Sequence, residues 1–165
     1  ALRPLPLKQL GFMHTNFTTQ EMMAAHNAKF HASYPATQSN VQDIHLEDMD
    51  LRKLHEEISE LLFRSYPFKI SFSPLLRTMH EIENFYRHPE NKIGKLCNDA
   101  FRTIMIKSDG SVIPSHGRCY QVDAGNLYKH NLKEIWNADP LAAFRKTLLK
   151  EGGLLPACTR CCSAF

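Results

Sequence analysis

Three of the five cysteines of this chain lie within five residues of one another, in the stretch LPACTRCCSAF (residues 155–165). Thiols crowded in this way either bind something or store redox chemistry. Cys158-x-x-Cys161 lets two sulfurs turn to the same side of the chain, which is half of a four-sulfur site. Cys97 precedes and Cys119 follows a segment with hairpin character, so folding that hairpin carries both toward one end, where the tail can return. The set Cys97, Cys119, Cys158 and Cys161 suits an iron–sulfur cluster or a structural zinc ion, and spacing does not choose between them. Cys162 is surplus. It can replace Cys161, pair with it as a vicinal disulfide and redox switch, or pack as a small buried residue. His116 is a further substitute ligand, although a loop histidine is more often solvated. An odd cysteine count with such clustering is a poor fit to a secreted disulfide scaffold, and a reducing cytoplasm is expected.

Other chemistries find little support. There is no glycine-rich phosphate loop, no P-loop lysine and no serine nucleophile elbow. His55-Glu56-Glu57 falls on the polar face of an amphipathic segment and reads as solvated. The net charge of +3 is uneven, with 11 basic against 12 acidic residues over 1–100 and 9 against 5 over 101–165. Yet the basic residues, Arg145, Lys146 and Arg160 among them, are scattered rather than gathered in a phosphate-binding stripe. Nucleic acid is therefore not the expected partner. No apolar run approaches the ~18 residues that cross a bilayer, so no membrane is expected either.

The elements that must position these thiols can be read locally. QLGFMHTNF (9–17) reads as a strand, and Thr18-x-x-Glu21 as a capping box opening a helix through Phe30. Asp48 or Asp50 caps a second helix, in which Leu51, Leu54, Ile58, Leu61 and Leu62 recur at helical spacing. FKISF (68–72) alternates as a strand does, and Ser73-Pro74 is expected to start a third helix that runs to His88-Pro89. Two strands alone make a marginal sheet, so this half looks like a piece of something larger. After Pro89, two β-rich runs meet at Asp109-Gly110, the two-residue hairpin turn. Asn131 caps a short helix through Trp136, and Asp139-Pro140 opens another with Leu141, Phe144 and Leu148 inward. Gly152-Gly153 stops it. The expected class is α+β, with a change of texture near residue 90.

The order of landmarks resembles a known family. Cys97, Asp109-Gly110-x-Val112-x-Pro114, Cys119, Gly125-Asn126-Leu127, Leu132-x-Glu134-Ile135-Trp136 and Cys158-x-x-Cys161 are similar in sequence order to the SPASM domain, or its shortened Twitch form, at the C-terminus of radical SAM enzymes. The resemblance implies two units: residues 1–90 as the last strand–helix units of an incomplete α/β barrel, and residues 91–165 as an auxiliary-cluster domain. It implies one [4Fe–4S] cluster on Cys97, Cys119, Cys158 and Cys161; the competing reading of the same cysteines is a zinc-stabilised, non-catalytic binding module. Two clusters are not supportable, because the full pattern uses seven cysteines and Ser115 stands where relatives often place one. The Cys-x-x-x-Cys-x-x-Cys motif that holds the SAM-cleaving iron is missing. The resemblance therefore implies a C-terminal portion, inactive alone, whose partners are the rest of the barrel and a substrate of peptide or protein character. An exposed strand edge at 9–17 offers a route to homodimers.

Overall fold

The structure, a computed structural model, describes residues 5–39, 41, 45–115 and 122–165. Cys119 and His116 lie outside the described residues. The first strand, β1 (Gln9–Met13), pairs in parallel with β2 (Lys69–Ser73), Gln9 opposite Lys69 and Met13 opposite Ser73. β1 is shorter than the sequence suggested. His14 still donates its N–H to the Ser73 carbonyl at 3.0 Å, and the chain then leaves the ladder to bury Phe17 completely.

Helix α1 (Gln20–Phe30) is capped by Thr19, whose hydroxyl accepts from the Met22 N–H. The expected cap, Thr18, is instead tied by its backbone to Ser39. Asp50 caps α2 (Leu51–Phe63) by accepting from the Lys53 N–H at 2.9 Å. Helix α3 (Met79–Arg87) begins five residues after Pro74 rather than at it. The Ser73 carbonyl is already committed to the sheet, whereas Thr78 and Glu81 form a reciprocal capping box that satisfies two N-terminal donors. Phe17, Met22, Leu51, Ile58, Leu76, Ile82, Phe85 and Tyr86 form the core between these helices.

A second core lies under the C-terminal elements. Strands β3 (Met105–Ile106) and β4 (Val112–Ile113) pair antiparallel, as the hairpin reading required. The turn is one residue longer than the expected Asp-Gly pair. Gly110 N–H donates to the Lys107 carbonyl at 2.9 Å and Lys107 N–H to the Ser111 carbonyl at 2.9 Å. Gly110 has φ +79°, the left-handed residue that closes a three-residue loop. A Cβ there would sit 2.6 Å from the Asn126 side chain. Asn131 and Glu134 cap α4 (Leu132–Trp136) as a capping box. In α5 (Asp139–Lys150), Asp139 is the first helical residue and Ala138 holds the cap position. Ala100, Val112, Val122, Ile135, Leu141, Phe144, Leu148 and Leu155 form the second core, and Met23, Phe30 and Tyr34 from α1 and the turn after it pack onto it. Helix α1 thus serves both cores.

Two buried imidazoles give the fold a pH dependence. His14 Nδ1 lies 2.8 Å from the Tyr86 hydroxyl, and His26 Nε2 lies 2.6 Å from the Tyr34 carbonyl. Burial lowers the pKa of both below the ordinary 6.5, so the folded state holds them neutral. Stability from this source is complete above 6.5 and is lost as the pH falls toward the lowered folded values. The thermal midpoint should therefore drop between pH 7 and pH 5, and His14→Gln should flatten that slope.

Candidate metal centre

The tail is shaped by short turns rather than by a regular element. Residues Pro156–Cys158 and Cys162–Ala164 each form one turn of 3-10 helix. Between them, Cys161 N–H donates to the Cys158 carbonyl at 3.0 Å, closing Cys158-Thr159-Arg160-Cys161 into a tight loop. Cys158 is half-buried and packs against the second core beside Leu155.

The segment before the hairpin runs alongside this tail. Lys95 N–H donates to the Ala164 carbonyl at 2.5 Å, and Cys97 N–H donates to the Gly153 carbonyl at 3.1 Å. Ser163 Oγ donates to Asp99 Oδ2 at 2.6 Å, fastening the turn after Cys97 to the turn after Cys161. These contacts bring Cys97 and Cys161 within electrostatic range of each other. Burial pushes the Cys97 thiol pKa up, the charges of Cys161 and Asp99 push it further, and backbone hydrogen bonds from Ala100 and Asp99 pull it down. Peptide N–H groups aimed at sulfur, in a half-buried setting, are the features that tune a thiolate-held centre.

Gly153 makes the approach of the two segments possible. At φ +96° its absent Cβ would fall 2.7 Å from the Leu96 Cα, next to Cys97. Gly153→Ala should cost at least about 2 kcal/mol, from left-handed strain and a backbone clash together. Urea unfolding of the metal-free protein measures it.

Among the sequence-predicted ligands, Cys97 and Cys158 both pack against the second core, and the segments carrying Cys97 and Cys161 run side by side. Cys162 is half-buried at the start of the last turn. Ser115, at the end of the hairpin, is buried. Among the described residues, no three His, Cys, Asp or Glu side chains converge tightly enough to hold a single metal ion.

Sequence reading missed the most heavily bonded residue of the site. Arg160, counted there only among scattered basic charges, is fully buried. Its Nε donates to the Phe85 carbonyl at 2.7 Å, Nη1 to the Asn91 carbonyl and the Thr159 hydroxyl, and Nη2 to the Asn84 and His88 carbonyls. All five guanidinium donors are used. Three of the acceptors are carbonyls at the C-terminal end of α3, where a cation is favoured. The guanidinium also lies over the Phe85 ring at 5.5 Å. Burial lowers its pKa to about 10, and Glu90 offsets part of that, so it stays charged at neutral pH. The available signal was its position, between two cysteines three residues apart.

No helix among the described residues is long and apolar enough to cross a membrane. No curated protein and no solved structure matches the chain. Residues 97–162 match the family model for SPASM, an iron–sulfur cluster-binding domain, and the match runs from Cys97 through Cys162. It spans the hairpin, the two short helices and the cysteine tail whose contacts were described above. Residues 97–162 are thus similar to SPASM, a family of iron–sulfur cluster-binding domains.

Proposed function

We propose that Cys97, Cys119, Cys158 and Cys161 hold one auxiliary [4Fe–4S] cluster, and that the chain is the auxiliary-cluster portion of a radical SAM oxidoreductase. The observation that carries the cluster reading is the docking of the Cys97 segment along the tail, with Cys97 and Cys161 near enough to raise the pKa of Cys97. A [4Fe–4S] cluster takes one thiolate on each iron, so its ligands need not share one point. A zinc ion needs all its donors about 2.3 Å from one centre. When bound, the cluster would supply an electron station or a fixed point for substrate. The chain's part is to supply sulfur, to orient it through the turns at 97–101 and 156–164, and to exclude water with the second core.

The N-terminal half supports the parent reading. β1 and β2 pair in parallel, as neighbouring barrel strands must, through a connection carrying α1 and α2. Parallel strands are ordinarily covered on both faces. Here Met13 is 64% exposed, and Phe12 stacks on Phe72 at 5.2 Å near the surface. Preceding barrel strands are the natural cover, which makes the rest of that barrel the first partner, with substrate as the second.

Two results decide the reading. Anaerobic reconstitution with ferrous iron and sulfide should give a brown protein even with equimolar zinc present. Coding sequence ahead of Ala1 should contain Cys-x-x-x-Cys-x-x-Cys. A colourless protein that takes up one zinc would overturn the cluster, and an upstream sequence without the motif would overturn the parent.

A further inference from the structure

Arg160 carries a buried charge that no described carboxylate meets in a salt bridge, and Glu90 acts on it only from beyond that distance. It is fully buried, and all five of its partners are neutral: four backbone carbonyls and one hydroxyl. Among the described residues, no carboxylate lies within salt-bridge distance of it. Glu90 is exposed and is engaged with His88 at 3.0 Å. Buried cations are ordinarily paired, because moving an ion out of water is expensive. In the loop Cys161 follows Arg160 directly and Cys158 stands two residues before it, and both become negative when they ligate iron. The same guanidinium grips the end of α3 through Asn84, Phe85 and His88, on the N-terminal side of the molecule.

We propose that Arg160 is a positioning residue for the iron–sulfur centre: it locks the Cys158–Cys161 loop onto the end of α3 and supplies the positive charge that offsets the cluster's thiolates. This inference rests on the cluster reading above. It implies that α3 and the cluster stabilise one another, although α3 lies outside the matched family segment. It also implies that Arg160 raises the cluster's reduction potential, since a nearby cation favours the more negative, reduced form.

Two measurements test it on the full chain, reconstituted anaerobically with iron and sulfide. In the first, hydrogen exchange of the wild-type protein is followed with and without the cluster. Loading should slow exchange of the amides at 84–91 at least tenfold; unchanged exchange there, with slowing confined to the cysteine segments, overturns the lock. In the second, the midpoint potential is compared in wild type, Arg160→Lys and Arg160→Met. Arg160→Met should make reduction about tenfold less favourable, which is about 59 mV for one electron, while Arg160→Lys stays within threefold of wild type. A wild-type potential in Arg160→Met, whatever its thermal midpoint, reduces Arg160 to a structural clamp and overturns the charge role. Should Arg160→Met fail to fold, the exchange measurement on the wild type still decides. Failure of the wild type to take up any cluster is a different result, and it sinks the cluster reading instead.

Discussion

Cys161→Ser should lower the iron retained per chain from about four atoms to below one after anaerobic reconstitution and desalting. Serine is nearly isosteric with cysteine, so the metal-free variant should lose no more than about 1 kcal/mol of stability. The loss is therefore one of ligation and not of folding. Cys161 has the least slack of the set: its N–H closes the loop on the Cys158 carbonyl, and its carbonyl accepts from the Ala164 N–H. Cys162→Ser serves as the internal control. Cys162 opens the final turn beside Cys161, and its replacement should leave iron content unchanged. Iron retained in Cys161→Ser but lost in Cys162→Ser would mean that the loop presents the other sulfur.

The second large effect lies at Phe85. Its ring is 1% exposed and meets four others: His14 at 5.6 Å, Phe17 at 5.7 Å, Tyr86 at 4.8 Å and Phe165 at 6.0 Å. Its carbonyl accepts from Arg160, whose guanidinium also rests on the ring. Phe85→Ala should cost about 3–5 kcal/mol through the lost burial and the cavity left behind. That is a large share of a typical 5–15 kcal/mol total and lowers the thermal midpoint by on the order of 10 °C. Because the cavity opens beneath Arg160, the variant should also release its cluster faster than wild type. Phe63→Ala makes the contrast: that ring is 93% exposed at the end of α2, and its removal should change stability by less than about 0.5 kcal/mol. Equal losses at the two positions would contradict the core assignment.

How much of this was legible in the sequence depended on whether the signal was local. The caps at Asp50 and Asn131, the inward face of α5 and the antiparallel hairpin depend on neighbours a few residues apart, and they were readable. Helix α3 was misplaced because Ser73-Pro74 looks like a helix start in isolation. Only the pairing of Ser73 with His14, across the sheet, shows that the strand still claims it. The hairpin turn was misread by one residue for a similar reason: the Asp109 carbonyl is held by the Asn126 side chain and the Gly110 carbonyl by the Leu127 N–H, not by the turn alone. The cysteine tail was legible as half of a site, and the backbone hydrogen bonds that dock the Cys97 segment along it come from the fold. What composition could not reveal was the fate of Arg160. A basic residue on a list of scattered charges looks solvated, and its burial follows from carbonyls 69 to 76 positions away. His14 and His26 were passed over in the same way, since only the packing around them makes them buried and neutral.

The claim beneath all of this is that sulfurs from the segment before the hairpin, the segment after it and the tail surround a single inorganic centre. Iron K-edge absorption on the anaerobically prepared chain tests it most directly. The account predicts iron in an all-sulfur shell with a short iron–iron vector, both lost in Cys97→Ser and in Cys161→Ser. Iron bound through nitrogen and oxygen without any iron–iron scattering, or a sample carrying zinc alone, would contradict it.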